Sequence, residues 1–263
     1  MKSFLRSLVP MALQVPVKYR VNRALGRMEP EVELLRYLVA RGDRAIDVGG
    51  NRGVYAYALW RLGARVEVFE PNPICSDVLE AWSANKPYVA VHRVGLSDSK
   101  GEADLHIPVD TSGYEHDASA SLGTKVAGRV RNERVPLSTL DSFAFNDVAF
   151  VKIDVEGHED RTLLGAEALL GTQQPALLVE IEQRHIDRPI TEVFDLVRSF
   201  GYEGWFLRDN QLAPLDWFVV ERDQSTANFG TDGMPYLNNF LFLGRRHSVN
   251  GRYSRLQADW GMQ

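Results

Sequence analysis

The run Asp47-Val48-Gly49-Gly50-Asn51-Arg52-Gly53, residues 47–53, decides how this chain is read. It closes a short apolar segment, residues 44–49, that predicts a strand. It stands directly before residues 54–62, whose apolar positions recur at helical spacing up to Gly63. Glycines between a strand and a helix let a ligand approach the backbone and leave amide N–H groups at the helix start. The next strand, residues 65–70 (RVEVFE), ends on Glu70, 23 residues beyond Asp47. At the carboxyl edge of a parallel sheet, an acid in that place accepts hydrogen bonds from a ribose diol. Strand, turn, helix and acid together point to an adenosine-containing ligand.

The ligand's charge can be narrowed further. Gly49, Gly50 and Gly53 do not give the G-x-G-x-x-G spacing that cradles a pyrophosphate. Asp47 sits on the strand end itself, where a carboxylate repels a pyrophosphate and suits a cation carrying an amino group. S-adenosylmethionine is such a ligand.

Outward from the turn, strands and helices keep alternating. Ile74, Val78, Ala81 and Trp82 share a helical face; residues 88–96 predict a third strand and 103–107 an extra one. Residues 148–155 (VAFVKIDV) and 176–182 (ALLVEIE) are near-continuous apolar strands, separated by a helix at 159–170 with acids in its first turn. Ile190, Val193, Phe194 and Val197 mark another helix, and residues 202–208 and 240–244 supply the closing strands. The fold class expected is α/β, a mostly parallel sheet covered on both faces. Residues 30–39 predict a helix ending near Gly42, so residues 1–42 form a helical N-terminal extension, 43–246 the domain, and 247–263 a C-terminal tail. Residues 109–134 are a long polar insertion carrying Tyr114, His116, Lys125, Arg129, Arg131 and Arg134. A loop of that length suits a lid over an acceptor, or a solvated insertion.

Composition excludes several classes. The 263-residue chain has a net charge of −5, yet residues 1–28 hold six cations and no acid, leaving a body of net −11. An acidic body does not suit nucleic acid, whose phosphates need a basic face. The basic start suits peripheral contact with an anionic membrane through residues 1–28, or a solvated helix face. A single cysteine, Cys75, excludes an internal disulfide and a cysteine-rich zinc site. It is compatible with a cytoplasmic location. Pro10 and Pro16, with no small-residue cleavage site, argue against a signal peptide.

The motifs taken in order resemble the FkbM family of S-adenosylmethionine-dependent methyltransferases. They are DVGGNRG (47–53), VFEPNP (68–73), VGLSD (94–98), STLDSF (138–143), VKIDVEGHE (151–159) and ALLVEIE (176–182), with Asn238-Asn239 before the last strand. Arg52 departs from the family's usual apolar residue. The resemblance implies a Rossmann-like class I methyltransferase with a seven-stranded sheet whose last strand is antiparallel. It also implies methyl transfer to a hydroxyl, often of a sugar, glycan or polyketide. Carried over by position, Asp47, Gly49, Asn51 and Gly53 line the methionine end of the cofactor. Glu70, with Pro71 and Asn72 beside it, takes the ribose hydroxyls, and Leu96, Ser97 and Asp98 border the adenine.

A hydroxyl acceptor must lose its proton near the transition state, which calls for a general base or a metal that acidifies it. Asp154 and Glu156 fall at the end of one strand, with His158 just after; Glu180 and Glu182 end the next, and His185 follows. Because strand side chains alternate, each pair of acids is expected to share a face. These residues are the catalytic candidates, with either histidine as the proton acceptor. The plain alternative for Glu156-Gly157 is a cap and a tight turn. A carboxylate cluster suits Mg²⁺, but no spacing demands it, so metal dependence stays open. Trp205, Trp217 and Phe229 are candidate stacking platforms for a sugar, or core and loop anchors. The expected activity is O-methylation of a sugar, glycan or glycosylated metabolite. The rivals are a non-sugar polyketide or lipid hydroxyl, nucleotide-linked hydride transfer, and a non-catalytic membrane- or glycan-binding module. Acceptor identity and oligomeric state are not legible.

Overall fold

The computed structural model describes residues 9–111, 113, 115–116, 119–123, 128–229 and 236–262. Lys2, Arg6, Tyr114 and Lys125 lie outside the described residues. Among the described residues eleven strands are formed: β1 (Arg44–Val48), β2 (Arg65–Phe69), β3 (Val89–His92), β4 (Gly95–Leu96), β5 (Gly101–Pro108), β6 (Val130–Ser138), β7 (Val148–Ile153), β8 (Ala176–Glu180), β9 (Tyr202–Arg208), β10 (Gln211–Pro214) and β11 (Asn239–Gly244). The main sheet has eight strands in the order β10-β9-β11-β8-β7-β1-β2-β3. Its β3-β2-β1-β7-β8 portion is parallel, whereas β11 runs antiparallel to both β8 and β9. The antiparallel last strand is therefore present as expected.

The eighth strand corrects the expectation of seven. Asp209 and Asn210 both take left-handed φ angles, +52° and +61°, so the chain reverses after β9 and β10 pairs back onto it. Acid and amide side chains tolerate that conformation better than most, which is why this pair makes a two-residue hairpin turn. The polar insertion is also more regular than its composition suggests. It leaves from the end of β5 and its last residues enter β6; the two strands pair antiparallel and join β4 in a second, three-stranded sheet. Alternation on β6 hides in charge: Arg131 pairs with Glu115 and Glu133, and Arg134 with Glu102 and Asp104, while Val135 packs inward.

Helices cover both faces. The longer ones are α1 (Met11–Ala24), α2 (Val54–Arg61), α3 (Pro73–Ser83), α4 (Glu159–Leu164), α5 (Glu167–Gln173), α6 (Thr191–Ser199) and α7 (Ser254–Trp260), with shorter turns between. The expected single helix at 159–170 breaks at Gly165, where a Cβ would fall 1.9 Å from the Ser97 carbonyl oxygen. Backbone contact there fixes the chain between β4 and the helices. One apolar layer packs α1, α2 and α3 on one face of the sheet; the other packs α4, α5 and α6 on the opposite face. All six residues of β7 and β11 are buried, as strands sandwiched between helices must be.

The two terminal segments contribute to the same core. Val15 and Tyr19 of α1 sit against α2 and α3, and Tyr253 and Leu256 are buried with them. The Tyr37 hydroxyl donates to Asp259 Oδ2 at 2.8 Å, tying the two ends together. No described helix is long and apolar enough to cross a membrane.

Candidate active site

The carboxyl ends of β2, β1, β7 and β8 lie side by side, and chain direction in the sheet diverges on either side of β1. Crevices for ligands form at such switch points. Gly49, at φ +75°, donates its N–H to Phe69 O at 2.9 Å. A Cβ on Gly49 would lie 1.8 Å from the Asp154 carbonyl oxygen, so only glycine lets β1 and the end of β7 approach this closely. Asn51 continues the turn at φ +46°.

Two cavities flank Gly49 and share Gly49, Asn51 and Asp154 in their walls. The first is lined by Glu70, Pro71, Val94, Gly95 and Leu96, with Leu105 of β5 and Ala120 and Leu122 of the insertion over them. Glu70 is held by two amides: Asn51 N donates to Oε2 at 2.6 Å and Asn72 N to Oε1 at 2.7 Å. Burial still pushes its carboxyl up to about 7. Ser121 Oγ donates to the Glu156 carbonyl at 2.5 Å and accepts from Gly123 N at 2.8 Å. The insertion thus docks beside the β7 loop and covers one side of the crevice.

The second cavity is polar. Its inner wall is Asp47, Asp154, Lys152, Tyr55 and Glu29; its outer wall is Arg52 with Lys18, Asn22, Arg27 and Met28. Asp47, 2% exposed, has an Oδ2 without a hydrogen-bond partner, and burial raises its carboxyl to about 7. Lys152 stands opposite it in register on β7 and is 1% exposed. Burial acts to lower the Lys152 ammonium, but Asp154, Glu180, Glu29 and Asp47 outweigh it, so the ion is held charged. Its Nζ lies 3.2 Å from Asn239 Oδ1 and 3.8 Å from Glu180 Oε2. Burial likewise raises Asp154 and Glu180.

Beyond Asp154 the chain leaves the strand, and Glu156 adopts φ +50°. The Asp154–Glu156 pair therefore sits in a turn after Ile153, not on one face of a strand as the alternation implied. Glu156 Oε2 stands 3.0 Å from His185 Nε2, and Glu182 Oε1 3.9 Å from it. These are ion-pair contacts off the line of a hydrogen bond. The Glu156 carboxylate raises the His185 imidazole above the ordinary histidine range. Burial acts to raise Glu182, but hydrogen bonds from Arg184 and Tyr236 leave it below the usual carboxylate value. Among the described residues, Glu156, Glu182 and His185 are the group whose donor atoms lie close enough to hold a metal ion. Asn238 Nδ2 donates to Glu180 Oε1 at 2.5 Å, joining the two parts of the site.

Asp154, Glu156, Glu180 and His185 thus form one cluster, of which Asp154 and Glu156 line the crevice, but His158 is turned away. Gly157, at φ +94°, reverses the chain, and His158 Nε2 meets Ser97 Oγ at 3.0 Å. Burial lowers the His158 imidazole, which makes it a poorer base. The cap on the Gly157 amide comes from Glu159 Oε1 at 2.8 Å, not from Glu156. Of the expected cofactor residues, Asp47, Gly49, Asn51, Glu70, Pro71, Leu96 and Asp154 line a cavity. Gly53, Asn72 and Ser97 do not: Gly53 packs under Val15 and Leu79, Asn72 caps α3, and Ser97 holds His158. Asp98 pairs with Arg161 outside the cavity. Trp205 belongs to the core and offers no stacking face, whereas Phe229 is half-exposed over Arg184, with 4.1 Å from the guanidinium carbon to the ring centroid. Lys152, Tyr55 and the α1 residues were missed; only Lys152, an isolated charge in an apolar strand, left a local signal.

The family description Methyltransferase FkbM domain matches residues 47–203. A crystal structure of Methyltransferase FkbM from Methylobacillus flagellatus KT shares 15% identity, covering 78% of this chain and 44% of that one, with a TM-score of 0.50. This chain therefore spans less than half of that relative. A TehB-like SAM-dependent methyltransferase from Corynebacterium glutamicum is 14% identical over 88% of this chain and 96% of that one, at a TM-score of 0.43. An rRNA methylase from Streptococcus thermophilus is 11% identical over 83% and 98%, at 0.45. No curated protein matches the chain.

Proposed function

The chain belongs to the FkbM methyltransferase family, and on that footing we propose that it transfers a methyl group from S-adenosylmethionine to a hydroxyl of a sugar, in a glycan or a glycosylated metabolite. When bound, the cofactor supplies a methyl group on a positively charged sulfur. The residues present fit it. Glu70, with Pro71 and Leu96, offers a seat for a nucleoside, and the unpartnered Oδ2 of buried Asp47 offers an acceptor for an amino group.

The observation that carries oxygen as the acceptor atom is the His185–Glu156 contact at 3.0 Å. His185 takes the hydroxyl proton on Nδ1, and Glu156, which faces Nε2, stabilises the imidazolium that results. Arg184, Tyr236 and Asn238 hydrogen-bond Glu182 beside the pair, and the exposed ring of Phe229 lies over Arg184. That mixture suits a sugar better than an apolar polyketide. Incubation with S-adenosylmethionine and a panel of glycosyl acceptors should release S-adenosylhomocysteine only when a free sugar hydroxyl is present. Turnover restricted to amine acceptors counts against the reading. His185→Asn should cut kcat on the order of 10²- to 10⁴-fold with cofactor affinity kept. Glu156, Glu182 and His185 also offer the oxygen and nitrogen donors a divalent ion accepts. Turnover that survives a chelator keeps His185 as the base, and turnover that is lost and restored by Mg²⁺ moves that role to a bound ion.

A second reading, an acceptor carried on a lipid, is favoured by the outer face of α1. There Met11, Leu13, Val17 and Val21 are exposed beside Arg20 and Arg23. Flotation with anionic but not neutral liposomes tests it.

A further inference from the structure

The basic start of the chain and Arg52 have no part in the chemistry so far, yet three of these cations meet. Gln14, Lys18 and Asn22 recur every four residues and so share one face of α1. That face is turned to the glycine turn. Arg52 Nη1 donates to Gln14 Oε1 at 3.3 Å, and Lys18 and Asn22 line the second cavity. The helix cannot easily rotate away, because Val15 packs against Gly53 and the Tyr19 and Tyr57 rings lie 4.9 Å apart. Arg27, just past the helix end, completes the same wall. Arg52 itself is buried, and a guanidinium held away from bulk water attracts an anion more strongly than one on the surface. Asp47, Asp154 and Glu29 line the same cavity.

A cavity lined by Lys18, Arg27 and Arg52 as well as by Asp47, Asp154 and Glu29 matches the free end of an α-amino acid, whose carboxylate and ammonium sit on one carbon. We propose that Lys18, Arg27 and Arg52 form the seat for the carboxylate of the cofactor's amino-acid end, opposite an ammonium seat at Asp47. This rests on the S-adenosylmethionine reading above and deepens it. It makes α1 part of the binding site, and turns the replacement of an apolar residue by Arg52 into a specificity feature. Bidentate donation by Arg52 gives direction, while Lys18 and Arg27 add charge.

The test compares S-adenosylhomocysteine with 5′-methylthioadenosine, which keeps the nucleoside and sulfur but lacks the amino-acid end. Calorimetry is run on the full chain and on Lys18→Ala, Arg52→Ala and Arg52→Lys, each checked for an unchanged melting transition. Lys18→Ala lies on a half-exposed face and keeps the fold testable if Arg52→Ala does not fold. The expected result is a loss on the order of 10- to 100-fold in S-adenosylhomocysteine affinity for each alanine variant, partial rescue by Arg52→Lys, and unchanged 5′-methylthioadenosine affinity. Equal losses for both ligands, or no loss for either, overturn the seat while leaving the cofactor reading intact. Wild-type protein that binds neither ligand overturns the cofactor reading and the seat with it.

Discussion

Replacing Asp47 by Asn should make the free protein more stable and the ligand-binding protein worse. Asp47 is buried beside Asp154, with one unpartnered oxygen, and its carboxyl is raised from 3.8 to about 7. Between those two values the folded state binds a proton that the unfolded state has released, so stability falls as pH rises from 4 to 7 and then levels off. The shift of about three units corresponds to about 4 kcal/mol of destabilisation at pH 8, and about 2 kcal/mol at pH 5. The Asp47→Asn side chain keeps the shape without the charge, so the variant should recover up to about 4 kcal/mol at pH 8 and about half of that at pH 5. Lys152 loses one of four carboxylate neighbours, which trims the gain without reversing it. Losing the charge-assisted contact to an ammonium should cost S-adenosylmethionine about 10- to 100-fold in affinity. Urea unfolding at pH 8 and pH 5, with calorimetric titration at pH 8, reads both quantities. An Asp47→Asn variant less stable than wild type at pH 8, or a gain that does not change with pH, refutes the electrostatic argument.

Affinity for S-adenosylmethionine should rise about tenfold between pH 6 and pH 8, because a cation favours the ionised form of a carboxyl titrating near 7; a flat titration profile rules this out. Gly49→Ala should lower stability by at least about 2 kcal/mol, since the added methyl meets the Asp154 carbonyl in a left-handed backbone conformation. Thermal melting checks it, and an unchanged transition would show that the β1–β7 approach is loose. Lys152→Met should cost about 3–5 kcal/mol, as it leaves Asp154, Glu180 and Asp47 without their buried counter-ion. Loss of less than about 1 kcal/mol in urea unfolding would mean those acids are already protonated.

Much of the sheet was legible because buried parallel strands are near-continuous apolar runs, and β7 and β8 are of that kind, while β2 alternates apolar with charged residues. Asp47 and Glu70 were legible because each is an acid at the carboxyl end of its strand, the edge of a parallel sheet where ligands bind. What escaped was non-local or masked by charge. The face of α1 formed by Gln14, Lys18 and Asn22 meets residues about thirty positions further on, and no local pattern records that meeting. β6 escaped because Arg131 pairs with Glu133 along the strand and Arg134 with Glu102 and Asp104 across the hairpin, so these charges look like loop residues when read singly. His158 was drawn into the catalytic set by its neighbours in sequence, but the left-handed Gly157 sends its ring to Ser97.

The position of β11 has a consequence for synthesis. It fills the gap between β8 and β9, although it is the last strand made. β8 ends at Glu180 and β11 at Gly244, so 64 residues separate them. At the usual pace of translation that interval lasts about 3–13 s. Through it the Ala-Leu-Leu-Val-Glu edge of β8 is paired on one side only, and β9, paired with β10, has its other edge open as well. An apolar strand with one open edge is a template for pairing with another chain. The nascent protein therefore spends seconds as its own aggregation hazard, and yield at high expression should depend on how fast residues 239–244 emerge.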